Sequence, residues 1–268
     1  MWQDFEQAFN RALFFSMRRK KILFILPILL LCGVLVVVSH TLWVGSNPWV
    51  RSSLAFIPGF LCVTLFLASA IPLIRMYHDE VKQKPYTVNK TLKLSWKLMA
   101  GIGSLIVPIL TAYLVLWFIL GIFYLLKNIP AMGGILGGFL SFGPFLLIAG
   151  SILLFAISLV LMFFLSPVVA LKSKMSWELA ESVLKRFSKE PFLHFILLLL
   201  GVLPLAIVVG FLILSATLTG MTYFVTESIG LQWFMIMIPF AALLSPVIIF
   251  FFNFAGESFV ILQKRLKS

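Results

Sequence analysis

The three histidines of this chain are scattered along the sequence and form no local catalytic pattern. They are His40, His78 and His194. An enzyme needs its acid, base or nucleophile side by side, because proton transfer and covalent attack work over hydrogen-bond distances. The sequence holds no G-x-S-x-G, H-E-x-x-H, P-loop or paired-aspartate signature. We therefore expect a protein that is not an enzyme and that has no catalytic residue, metal or cofactor.

Two groups of polar residues remain that could carry chemistry. The triplet His78-Asp79-Glu80 closely follows an apolar run, so we interpret it as the solvated end of a helix, with a metal site as the alternative. Asn253 and Glu257 are spaced i, i+4 and share a helical face at the end of the last apolar run. We expect them to pair with Lys or Arg at a membrane boundary, and a site that couples transport to protons or sodium is the alternative.

The composition excludes a water-soluble fold. Of the 268 residues, 62% are hydrophobic and 11% are charged, and the mean hydropathy is +1.11, whereas soluble domains are about 25% charged. Cys32 and Cys62 both lie inside apolar runs and are interpreted as small hydrophobic residues. The net charge of +12 comes from basic residues that flank these runs, where they set orientation and attract anionic lipid. We expect no nucleic-acid partner.

Six apolar runs, each long enough for the roughly 20 residues that cross a bilayer, predict an all-α integral membrane protein. They cover residues 22–44, 54–74, 98–126, 145–171, 192–216 and 233–254 of a single polytopic domain, 1–268. The first run is too long for a signal peptide. Nearly all of the 21 Lys and Arg residues fall in alternate segments between the runs. Because short cytoplasmic loops hold the positive charge, we expect both termini in the cytoplasm.

Prolines recur at related places in the six runs and predict an internal repeat. The odd-numbered runs share an apolar-apolar-Pro-apolar element after their start, and the even-numbered runs share a second proline element nearer their cytoplasmic half. The six prolines are Pro27, Pro72, Pro108, Pro167, Pro204 and Pro246. A proline inside a span removes a backbone hydrogen bond and bends the helix, so we predict kinks at all six. A hinge or a broken helix that lines a transport cavity is the alternative.

A short basic, amphipathic stretch precedes each odd-numbered run, at residues 2–16, 88–99 and 175–187. The apolar residues of each stretch fall on one helical face and the charged residues fall elsewhere. We expect three helices in the membrane interface, so that each of three repeats is a surface helix followed by a helical hairpin. The residues expected to bind lipid headgroups are Arg18, Arg19, Lys20, Lys21, Lys90, Lys93, Lys97, Lys185, Arg186 and Lys189.

Two of these basic stretches, residues 91–98 (TLKLSWKL) and 180–187 (AESVLKRF), run toward a span. This pattern, which extends over most of the chain, resembles that of the YciC-like six-span inner-membrane proteins of unknown function. It is also similar to the membrane domain of some glycerophosphodiester phosphodiesterases. The resemblance implies a multi-pass protein of the bacterial inner (plasma) membrane. The spans leave no room for the soluble phosphodiesterase domain, so that activity is not implied.

Two classes of function fit these observations. The first is a non-enzymatic membrane component that organises anionic lipids or supports a membrane protein partner through its basic cytoplasmic face. The second is a small transporter or permease-like subunit that uses the kinked bundle as a pathway. Polar groups that line a common cavity within the spans would favour the second function, and a tightly packed bundle would favour the first.

Overall fold

The computed structural model describes an assembly of helices. The described residues are 2–43, 49–50, 55–104, 106–127, 142–172, 190–223 and 229–265, and they contain no strand. The helices are α1 (Trp2–Phe14), a short 3-10 helix (Phe15–Met17), α2 (Arg19–Trp43), α3 (Ile57–Val81), α4 (Val88–Gly103), α5 (Ile106–Lys127), α6 (Gly143–Lys172), α7 (Pro191–Tyr223) and α8 (Ile229–Arg265).

Six helical segments of the described chain are long and apolar enough to cross a membrane. They are α2, α3, α6, α7, α8 and the stretch made by α4 and α5 together. In hydrocarbon no water is present to satisfy backbone polar groups, so an apolar run this long folds as a helix that bonds its own N–H and C=O groups. The predicted all-α membrane fold with six spanning segments is thus confirmed.

A helix boundary falls inside the third predicted run. The run was expected to start at Leu98, but Leu98 belongs to α4, and α5 begins at Ile106. At the junction the Ser104 N–H donates to the Ala100 carbonyl, and the Val107 N–H donates to the Ser104 carbonyl. Hydropathy missed this break because the last turns of α4 are also apolar.

One end of the bundle, which we call the basic end, collects the chain segments that carry residues 18–21 and 75–97. The start of α2 lies there beside the C-terminal parts of α3 and α8. This is shown by the contacts of Lys21 on α2 with Glu80 on α3 and with Asn253 on α8. The end of α6 lies at the same place, since Arg75 Nε donates to the Ala170 carbonyl at 3.0 Å. The basic segments of the described chain therefore meet at one end of the bundle.

The prolines do not all take the places predicted for kinks. Five of them, Pro27, Pro72, Pro167, Pro204 and Pro246, lie inside helices, as does Pro239 on α8, which the sequence pattern had not singled out. Pro108, in contrast, falls in the first turn of α5.

A proline in the first turn removes no intrahelical hydrogen bond, because the N–H groups there have no partner within the helix. Pro108 therefore lies at the start of α5, and the kink predicted there stays a prediction. Since Pro27, Pro108 and Pro204 do not hold equivalent places in their helices, the three-part repeat stays a prediction.

Candidate functional site

A buried ion pair lies at the basic end of the bundle. Lys21 is fully buried, and its Nζ lies 2.5 Å from Oε2 of Glu80. The same Nζ also approaches Oδ1 of Asn253 at 3.5 Å and the carbonyl of Phe15 at 3.4 Å. A buried cation is stable only when it is paired and hydrogen-bonded. The prediction that Lys21 binds lipid headgroups is therefore wrong, because its ammonium is used within the protein.

Glu80 is a shared acceptor rather than the solvated helix end that was expected. Its side chain is 10% exposed, and its Oε1 accepts a hydrogen bond of 2.5 Å from the Tyr86 hydroxyl. Burial, and then the hydrogen bond and charge of Glu80, raise the pKa of Tyr86 above its usual value, so this hydroxyl stays a donor. Among the described residues there is no group of His, Cys, Asp and Glu side chains that could hold a metal.

A second buried carboxylate, Glu257 on α8, joins α1 and α3. The Tyr77 hydroxyl donates to Oε1 of Glu257 at 2.5 Å, and the Arg11 guanidinium lies 3.4 Å from the same oxygen. Nearby, Nδ2 of Asn253 donates to the carbonyl of Ala12 at 3.2 Å. The predicted pairing of the Asn253 and Glu257 face with Lys and Arg is thus confirmed, and it fixes α1 against α8.

The apolar face of α1 packs on protein rather than on an open surface. Phe5, Ala8 and Ala12 are buried, and the Phe9 ring meets the ring of Phe250 edge-on with centroids 4.9 Å apart. The small alanines let the two helices approach closely, which the polar contacts of Asn253 and Glu257 require. The first of the three expected interfacial helices therefore buries its apolar face against α8.

Arg75 connects three helices at the basic end. Besides its bond to Ala170 on α6, its Nη1 donates to the carbonyl of Leu94 at 3.2 Å and to Oγ of Ser95 at 3.1 Å. The planar guanidinium can reach several acceptors at once, which a lysine cannot do. Arg75 therefore holds α4 against α3 and α6.

The side of α4 that faces the bundle combines two small polar residues with an isoleucine, which differs from the simple amphipathic expectation. Thr91, Ser95 and Ile102 are buried, whereas Leu94 and Trp96 are each 68% exposed. Three basic residues of α4, Lys90, Lys93 and Lys97, are also exposed. The outward side of α4 thus presents both apolar and basic side chains.

A cavity of about 740 Å³ opens beside this network, between the start of α2 and the turn that joins α3 to α4. Four basic residues line it, namely Arg18, Arg19, Lys20 and Lys84. Its carboxylate is Glu80, which is already engaged by Lys21 and Tyr86. The cavity is therefore strongly positive.

Deeper in the spans, three buried hydroxyl groups are satisfied within their own helices. Ser151, Ser158 and Ser245 each donate to the carbonyl four residues earlier on their own helix, at 2.6 to 2.8 Å. A hydroxyl that bonds its own helix offers less to a passing substrate. The buried hydroxyls of Ser166 on α6 and Ser258 on α8, in contrast, have no hydrogen-bond partner in the part of the protein that the structure describes.

The structure brings together only part of the predicted headgroup set. Arg18, Arg19 and Lys20 are exposed at the cavity, and the three lysines of α4 are exposed on its outward side. Lys185, Arg186 and Lys189, together with the third amphipathic stretch, lie outside the described residues.

Sequence reasoning missed the roles of Arg75, Tyr77, Lys84 and Tyr86, which complete the basic end. One signal was available for them, because all four stand at or just beyond the end of the second apolar run, beside its only carboxylates. Comparison with protein-family models, curated proteins and solved structures found no match.

Proposed function

We propose that this protein is a non-enzymatic, multi-pass protein of the bacterial inner membrane that organises anionic phospholipids, or supports a membrane protein partner, through its basic end. The basic end lies at the cytoplasmic surface in this proposal, as the distribution of Lys and Arg along the sequence indicates. The resemblance to six-span inner-membrane families supports the same location.

The observation that carries the proposal is the outward side of α4. It combines the exposed apolar side chains of Leu94 and Trp96 with the exposed ammonium groups of Lys93 and Lys97. Tryptophan and lysine favour the headgroup region, where a ring meets the acyl boundary and an ammonium meets phosphate. Each such cation near anionic lipid contributes about 1 kcal/mol.

The test measures lipid preference directly. The full-length protein is reconstituted in phosphatidylcholine bilayers with spin-labelled phosphatidylglycerol or spin-labelled phosphatidylcholine, and the immobilised fraction of each label is determined. We expect more immobilised anionic lipid than neutral lipid at low salt, and a smaller difference at high salt because exposed charges are screened.

A variant in which Lys90, Lys93 and Lys97 become glutamine should lose much of this preference. The matched control changes the same three residues to arginine, which keeps the charge and should keep the preference. Equal immobilisation of both lipids by the unaltered protein at low salt would contradict the proposed function.

A small transporter subunit is the second candidate, and one observation favours it. A cavity of about 200 Å³ borders Glu257, Tyr77 and Arg11, and buried ionisable groups in membrane proteins often mark ion or proton pathways. Vesicles that contain the protein and a trapped pH-sensitive dye would report proton movement. Transport predicts a flux that the Glu257→Gln variant abolishes, and absence of flux in the unaltered protein rejects it.

A further inference from the structure

The cavity at the start of α2 is an open cleft that is large enough to hold a small ligand. Its volume of about 740 Å³ lies within the range of about 300 to 1,000 Å³ that is usual for small-molecule sites. Within the described part of the chain, no carboxylate forms an ion pair with Arg18, Arg19, Lys20 or Lys84. The four cations that line the cavity therefore keep their charge without a carboxylate partner among the side chains that the structure describes.

Aromatic rings hold two of these cations in place. The Arg18 guanidinium carbon lies 5.5 Å from the ring centre of Phe15, and Lys20 Nζ lies 5.3 Å from the ring centre of Tyr86. The Tyr86 ring is itself fixed by its hydroxyl bond to Glu80. A ring orients a cation without cancelling its charge, so these donors remain available to an anion.

The local helix geometry favours an anion at the same place. Helix α2 has no acidic residue in its first turn, and begins instead with Arg19, Lys20 and Lys21. Cations are unfavourable at the positive end of a helix dipole. The first backbone N–H groups of a helix also lack intrahelical acceptors. The Lys21 and Ile22 N–H groups already donate to the Arg18 carbonyl, at 3.0 and 3.2 Å, so an anion bound in the cavity relieves chiefly the charge repulsion.

Membrane topology alone does not account for this arrangement. The orientation of a membrane protein depends on the number of basic residues in its cytoplasmic loops, and not on the conformation of those loops. Here they come from two separate chain segments, the start of α2 and the turn after α3, and line one cavity. Lys82, two positions before Lys84 in the same turn, is exposed and does not line it.

We propose that this cavity binds the phosphoryl group of a phosphate ester, with Arg18, Arg19, Lys20 and Lys84 as its cationic contacts. Guanidinium and ammonium groups recognise phosphate oxygens by charge-assisted hydrogen bonds. Two sources share this chemistry, namely the headgroup of an anionic phospholipid and a water-soluble phosphate ester. The lipid source rests on the proposed function, whereas the phosphoryl site itself does not.

The test is titration calorimetry of the delipidated, full-length protein in a neutral detergent. The titrants are short-chain phosphatidylglycerol, short-chain phosphatidylcholine and glycerol phosphate. We expect one saturable equivalent of phosphatidylglycerol or glycerol phosphate. Tighter binding of the lipid assigns the headgroup as the source, and equal or tighter binding of glycerol phosphate assigns the soluble ester.

Two single variants with the same net charge separate the cavity from the general surface. Lys84→Glu should weaken phosphoryl binding about tenfold or more, which corresponds to the loss of a charge-assisted contact. Lys82→Glu should leave the affinity within about twofold, because exposed charges that do not contact the ligand are screened. Both residues are exposed, and an unchanged unfolding midpoint will show that each variant is folded.

Equal weakening by both variants would overturn the cavity site. Absence of saturable binding of both phosphatidylglycerol and glycerol phosphate would also overturn it. The triple glutamine variant of α4 distinguishes this failure from failure of the proposed function. If that variant loses anionic lipid preference while the cavity variants do not, the basic surface acts on lipid without a discrete phosphoryl site.

Discussion

Lys21 and Glu80 form a buried ion pair that joins the start of α2 to the end of α3, with Nζ 2.5 Å from Oε2. Both side chains have further partners, since Asn253 and Phe15 face Lys21 and the Tyr86 hydroxyl faces Glu80. Such a pair contributes little net stability over an apolar pair, but breaking it leaves an uncompensated buried charge. The pair therefore fixes how these helices meet.

We predict that Lys21→Met lowers the free energy of unfolding by about 3 to 5 kcal/mol. Glu80→Leu should act similarly, because it leaves the buried ammonium unpaired. The double variant should recover most of the loss, since neither charge then remains. Unfolding in mixed detergent and sodium dodecyl sulfate micelles measures all three. A double variant as unstable as the sum of the two single changes would show that the pair is uncoupled.

The contacts of Glu257 predict an order of effects for two other variants. Tyr77→Phe removes a buried donor to a charged acceptor and should cost about 1.5 to 3 kcal/mol. Arg11→Gln should cost less than about 1 kcal/mol, because the Arg11 side chain is 45% exposed. The same unfolding assay gives both values, and the reverse order would mean that Arg11 is the main partner of Glu257.

Arg75 is predicted to hold α4 in place. Replacing Arg75 with methionine removes the bonds to Leu94 and Ser95 and should release α4 from the bundle. Hydrogen exchange of the amides of residues 88–103 should then accelerate, because local opening becomes easier. Lys172→Met is the matched control, since Lys172 is an exposed cation at the end of α6. Unchanged exchange in the Arg75 variant would exclude this role.

The spans were predictable from sequence because a segment that is apolar enough to enter the hydrocarbon of a membrane must also fold as a helix there. A long apolar run cannot leave its backbone unpaired in hydrocarbon, so its length and helical state follow together. The break at Ser104 was not predictable in this way, since both sides of it are apolar. The place of Pro108 in the first turn of α5 was not predictable for the same reason, because it depends on where the helix begins.

The polar network could be predicted only in part. The spacing of Asn253 and Glu257 predicted that they share a helical face and pair with cations. It could not identify Lys21 and Arg11 as those cations. Lys21 belongs to a run of adjacent basic residues, and only its direction relative to α3 and α8 decides that it is buried while Lys20 is exposed. The cavity arises from residues distant in sequence, so no local pattern reveals it.

A backbone feature at the rim of the cavity gives a further prediction. Gln83, just after α3, has a φ of 54°, a left-handed conformation that favours glycine because a Cβ is unfavourable there. Gln83→Gly should raise the free energy of unfolding by up to about 1 kcal/mol. Gln83→Ala is the control, because it removes the same amide but keeps the Cβ and should give no gain. Equal gains in both variants would assign the effect to the side chain.

The orientation of the bundle is predicted by the alternation of basic segments. With residues 18–21 and 75–97 on the cytoplasmic side, the loops at Asn47 and Asn128 should face the outside and Lys84 should face the cytoplasm. Single cysteines at these three positions, in a chain whose Cys32 and Cys62 are replaced by alanine, can be treated with a membrane-impermeant maleimide in intact cells. We expect labelling at positions 47 and 128, and labelling at position 84 only after the cells are opened. Labelling of position 84 in intact cells would reverse the orientation, and the basic end would then face away from the cytoplasm.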